Sequence, residues 1–229
     1  MHIEPGVVTG AKLALSYVTA AGAVAYSSKL IWESLVEKGV LSLVARAAIA
    51  TVAVFFFFEV LPTFAVGVSE VHFILGTTLL LIIGTAPAAI GLALGLLAQG
   101  LFFAPADLPQ YAMNVTTLLV PLFGIHMLAK RIIAPHTPYV DLTYMQALKL
   151  SAAYQGGVVA WVAFWALYGS GFGAENLTNV LTFGAAYMLI LLLEPIVDLA
   201  VLAGAQALRG LEGSGLVTPR LHAAEYAIR

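Results

Sequence analysis

The sequence predicts a polytopic, all-α transmembrane bundle of about seven helices, with the N-terminus outside and the C-terminus cytoplasmic. Three observations lead there. Hydrophobic residues make up 61% of the chain and charged ones only 10%, and the mean hydropathy is +0.98. With 10 basic and 12 acidic side chains over 229 residues, the chain cannot clothe a soluble surface, so its main solvent is hydrocarbon. Apolar runs of about 20 residues, the length that crosses a bilayer as a helix, recur from one end of the sequence to the other. Finally, the basic residues fall on one side of the membrane once those runs are laid out as alternating crossings.

The first run, 7–27, carries Lys12, whose long stem can reach the interface, and a face of small residues, Gly10, Ala11, Ala14, Ala20, Ala21 and Gly22, suited to close helix packing. The same stretch also has a secretory-signal reading, with Ala21-Gly22-Ala23 as a cleavage site; against it, Met1 to Gly6 lacks a positive segment. The second run, 42–65, ends near Glu59 and Leu61-Pro62. The third and fourth, 72–84 and 87–103, are short because both must fit around Gly84-Thr85-Ala86-Pro87; helices of that size reach only about 20–25 Å, and a re-entrant pair is the alternative. The fifth, sixth and seventh are 113–133, 147–169 and 177–203. With the N-terminus outside, Lys29, Lys38, Arg46, Lys130, Arg131, Lys149, Arg209, Arg220 and Arg229 all face the cytoplasm, while the outer segments hold Glu4, Glu70, Asp107 and Glu175.

Several function classes are excluded. A net charge of −2 leaves no basic footprint for nucleic acid. With no cysteine, thiolate zinc sites, iron–sulfur clusters and disulfides are impossible, and any metal must use nitrogen or oxygen. No Walker phosphate loop, Ser-His-Asp set or HExxH motif occurs, so no catalytic centre and no organic cofactor are expected.

Polar groups at membrane depth are costly unless paired or functional; here they are His2, Glu59, Glu70, His72, Gln99, Asn114, His126, Gln155, Glu194 and Asp198. His126 reads as a hydrogen-bonded helix residue. Glu194 and Asp198, spaced i, i+4, share a helix face and read as partner-facing or snorkelled groups near the inner end, with a cation or proton site as the alternative. His2 and His72 fall on the same outer side. A histidine at position 2 places the Met1 amine, its own amide nitrogen and its imidazole in chelating sequence, and one more nitrogen closes a square that favours Ni(II) or Cu(II), with Co(II) accommodated. The alternative is a solvated terminal His2 and an interfacial His72 bonded to backbone.

Met1-His2-Ile3-Glu4-Pro5-Gly6 resembles the N-terminal signature of the CbiM/NikM family, the substrate-specific membrane components of energy-coupling-factor cobalt and nickel importers. The stretch Val71 to Thr77, then Gly84-Thr85-Ala86-Pro87, Leu96 to Phe103, Asn114 and Pro121, is similar to that family's central block. The resemblance implies that Met1, His2 and His72 hold Co2+ or Ni2+ as transported substrate, with Gln99 and Asn114 supporting the N-terminal loop. It implies as partners a membrane coupling subunit, cytosolic ATPases and a small accessory membrane protein, all at a bacterial inner membrane. The chain departs from the family pattern at Val7-Val8-Thr9, Pro5 and Thr85-Ala86-Pro87, while the chelating residues are retained. A single membrane domain over 1–229 is expected, with 1–6 as metal-binding loop, 7–203 as bundle and 204–229 as cytoplasmic tail. A non-transport accessory subunit that keeps the fold is the rival reading.

Overall fold

The computed structural model describes residue 3 and residues 5–207. Helix α1 (Leu13–Glu59) is preceded by a 3-10 turn and is broken at Gly39, whose φ of 75° and ψ of 168° lie outside helical values. That conformation suits a residue without Cβ, and there the chain folds back. Arg46 Nη2 donates to Ser34 Oγ at 3.1 Å, although twelve residues of continuous helix would separate them by about 18 Å. The arms 13–38 and 40–59 reach about 39 and 30 Å, each enough for a bilayer core.

A short antiparallel hairpin follows, β1 (Phe64–Val66) and β2 (Ser69–Val71), with Ala65 opposite Glu70. Gly67 makes its turn at φ 61°, and any Cβ there would collide with the Asn179 carbonyl. Four residues then run without regular structure into α2 (Gly76–Ile83), and Gly84 separates α2 from α3 (Thr85–Phe102). Pro87 sits in the first turn of α3, where the amide it lacks has no intrahelical partner to lose. A 3-10 turn (Pro105–Gln110) leads to α4 (Tyr111–Ile132), and a second (Tyr139–Asp141) to α5 (Tyr144–Ser170). A capping box between Thr143 and Gln146 starts α5. Last comes α6 (Ala174–Ala207).

Five helical stretches, 10–59, 85–102, 105–132, 144–170 and 174–207, are long and apolar enough to cross a membrane. Six of the seven expected crossings fall largely on these stretches, the first two, 7–27 and 42–65, on the two arms of 10–59. The third differs: 72–84 was expected as one helix, but only Gly76–Ile83 is helical, and eight residues reach about 12 Å. Hydropathy measures apolarity and not hydrogen bonding, so it cannot separate a helix from an extended run that the protein itself encloses. Six of the eight α2 residues are buried, as a broken element at membrane depth requires.

Packing explains the layout. The small residues Gly91 and Gly95 of α3 lie against Ala50 and Val54 of the second α1 arm so closely that a Cβ at either would overlap its neighbour. Such small-xxx-small contact is how helices associate where no hydrophobic effect acts between them. Helix α4 lies at the centre, with fourteen of its 22 residues buried. The one end of the bundle gathers the N-terminal segment, the hairpin and the start of α4; the other gathers the Gly39 bend, the start of α3 and the α4–α5 loop.

Candidate metal-binding site

The N-terminal segment is seated inside the bundle. Ile3 is 1% exposed and Val8 likewise 1%, and both pack with Met113 of α4 and Trp165 of α5. Ile3 forms an antiparallel bridge with Ser69 of β2, and its N–H donates to Asn114 Oδ1 at 2.9 Å. Further along, Val7 O accepts from Ser170 Oγ at 3.2 Å, and Lys12 Nζ donates to Gly169 O at 2.8 Å. Lys12, expected to snorkel, is thus turned onto the end of α5. Met1, His2 and Glu4 lie outside the described residues.

His72 follows β2 directly and is 1% exposed. Its ring tilts against Phe58 with centroids 5.4 Å apart. Its Nε2 is 2.8 Å from Glu70 Oε2. An ionised carboxylate can only accept, so in the neutral imidazole the Nε2 carries the proton and Nδ1 the lone pair. Orienting a histidine through its second nitrogen is the usual support of a metal ligand. Sequence reading passed over Glu70 in this role; two residues apart on extended chain, it shares a face with His72, and that period was the available signal.

Gln99 is 5% exposed and donates to Phe58 O at 3.3 Å, next to the His72 ring. Its Oε1 has no hydrogen-bond partner among the described residues. Asn114, 1% exposed, holds the Ile3 backbone as described. Among the described residues no three His, Cys, Asp or Glu side chains gather closely enough to hold a metal ion.

The other polar candidates lie elsewhere. His126 Nδ1 is 2.7 Å from Thr85 Oγ1, beside a cavity of about 80 Å³ lined also by Glu33, Glu37, Lys38 and Arg46. Twelve residues of α4 put that cavity about 18 Å from Asn114. Glu194 and Asp198 correct the expectation of partner-facing or snorkelled groups: they are 1% and 3% exposed and point inward. Glu194 accepts from Ile74 N, from Leu75 N at 3.3 Å and from Gln155 Nε2, while Asp198 accepts from Thr78 Oγ1. The i, i+4 spacing gave their common face but not what that face meets, since α2 has only eight residues where the run 72–84 offered thirteen.

A family model described as CbiM, cobalt uptake substrate-specific transmembrane region, matches residues 2–210. No curated protein and no solved structure matches the chain.

Proposed function

Because the chain belongs to the CbiM family of cobalt uptake substrate-specific transmembrane regions, a transport family and not an enzyme family, we propose that it is the substrate-binding membrane subunit of an energy-coupling-factor importer for Co2+ or Ni2+. The metal is held by the Met1 amine, the His2 amide and imidazole nitrogens, and His72. One observation carries this reading. The residue that follows His2 is bridged to Ser69, three positions before His72, and its N–H is tied to Asn114. Gln99, below the Phe58–His72 contact, and Asn114 are the supports of the loop and the ring, and Glu70 turns the His72 lone pair onto Nδ1. Four nitrogens of this kind suit tetragonal ions. No ATP-binding motif occurs in the sequence, so energy comes from partner subunits, a membrane coupling protein and cytosolic ATPases, with a small accessory membrane protein beside them. The protein then sits in a bacterial inner membrane with residues 204–229 as its cytoplasmic tail.

The test is titration of the purified full chain, with its native N-terminus, by Co(II) and Ni(II). Tight one-to-one binding is expected. One residue added before Met1 should abolish it, because the amine is moved out of the chelate, and His72→Ala should weaken it at least about tenfold, or about 1.4 kcal/mol. Wild-type metal content in either variant overturns the assignment.

A further inference from the structure

Between His72 and α2 the backbone does something a leucine resists. Leu75 takes φ 52° and ψ 35°, the left-handed region, where Cβ crowds the following carbonyl. It is also buried, 9% exposed. Gly76, next in line, is pressed against the Tyr154 ring so closely that no Cβ fits. The turn lies at membrane depth, where amides outside a helix must find partners within the protein.

Glu194 supplies what the turn lacks. One carboxylate oxygen accepts the Ile74 N–H; the other accepts the Leu75 N–H at 3.3 Å and the Gln155 side-chain amide. Gln155 is fixed in turn, its Oε1 accepting from Tyr187 O–H at 2.9 Å. Glu194 and Gln155 are each 1% exposed and Tyr187 is 0% exposed, so these bonds are shielded from bulk solvent. Only Phe73 separates His72 from the first amide that Glu194 holds.

We propose that Glu194 is a positioning residue of the metal site: by clamping the left-handed Ile74–Leu75 turn from α6, it fixes where the His72 imidazole stands. The proposal rests on the reading of His72 as a metal ligand. Glu194 touches no metal itself. Its effect passes through two backbone amides to the ligand, so the position of the ligand is set by α6.

A clamp differs from ordinary packing in what can replace it. A glycine at position 75 adopts the left-handed turn without being held, so Leu75→Gly should restore a site that has lost Glu194, whereas a site lost through general loosening would be harmed further by removing a buried leucine. The experiment uses the full chain in detergent with Ni(II) as probe, reading affinity by chelator competition and coordination by the visible d–d spectrum. Glu194→Gln keeps the volume but turns an amide donor toward groups that are themselves donors. It should weaken Ni(II) binding at least about tenfold and shift the spectrum to that of His72→Ala. Glu194→Ala should do the same, and Glu194→Ala with Leu75→Gly should recover most of the loss. Asp198→Asn, one turn further along α6 and bonded to Thr78 instead of the turn, should bind within about twofold of wild type. Wild-type affinity and spectrum in Glu194→Gln would overturn the proposal while leaving His72 a ligand. So would failure of the glycine variant to rescue, or an Asp198→Asn spectrum like that of Glu194→Gln. If His72→Ala itself binds as wild type, the metal-site reading falls and this proposal with it.

Discussion

A nitrogen ligand set titrates in a window that a carboxylate set does not share. The α-amine loses its proton near ~7.7–8.0 and imidazole near ~6.5, and a backbone amide only under the pull of the ion. Protons compete with metal for each of these atoms, so affinity should rise steeply from about pH 5 to pH 8 and acid should strip the site. Tyr139, in the loop before α5, adds nothing to that slope, because burial and the Asp198 carboxylate push its phenol above its ordinary value and keep it neutral. Metal retention measured across pH 4–8 checks this; a flat affinity above about pH 5.5 would place the ion on carboxylates instead. The proposed donor atoms rest on residue types alone, since only a second-position histidine offers two adjacent nitrogens beside a terminal amine. What sequence could not give is how Ile3 and the turn after His72 are anchored. The bond from Ile3 N–H to Asn114 Oδ1 spans 111 positions, and Glu194 reaches the His72 turn across 120; no local pattern encodes either separation.

At the scale of elements, α4, α5 and α6 were readable because each is a continuous apolar helix, and continuity is what hydropathy detects. The α1 arms were readable too, though the break itself, at Gly39, lies between two apolar runs and not at a proline. The hairpin and the short α2 were not, because the strands 64–66 and 69–71 bond to each other and the amides of Ile74 and Leu75 bond to Glu194, which no local pattern of apolar residues reveals. The contact between α3 and the 40–59 arm provides an element-level test. Gly91 faces Ala50 with no room for a side chain, while Leu94 of the same helix is 47% exposed. Gly91→Leu should separate the two helices and destabilise the protein by about 1–3 kcal/mol, the usual cost of overpacking, read as a lower unfolding temperature in detergent. Leu94→Ala should move that temperature little. Equal behaviour of the two variants would mean that α3 does not rest on the 40–59 arm through its glycines.

For the whole molecule, orientation decides whether the proposed site meets the outside supply of metal, and the charges give it a direction. Lys38, Arg46, Lys130, Arg131 and Lys149 lie towards the end with the Gly39 bend and the α4–α5 loop, near which Arg46 donates to Ile83 O and Gln146 to Ile132 O. The opposite end, where Ile3 meets Ser69, carries Glu59, Glu70, Asp107 and Glu175 against Lys12 alone, whose ammonium is already given to Gly169 O. Basic loops stay in the cytoplasm, so the His72 end should face outward, and its excess of carboxylates should raise the local concentration of divalent cations there. The chain has no cysteine, so single substitutions can be labelled without background. Ala106→Cys, exposed in the 3-10 turn before α4, should react with a membrane-impermeant maleimide in intact cells. Ala134→Cys, exposed just after α4, should react only once the cells are opened. The reverse pattern would turn the His72 end toward the cytoplasm, where it would meet metal leaving the cell's own pool, and uptake through this site would then be ruled out even if the site binds the ion.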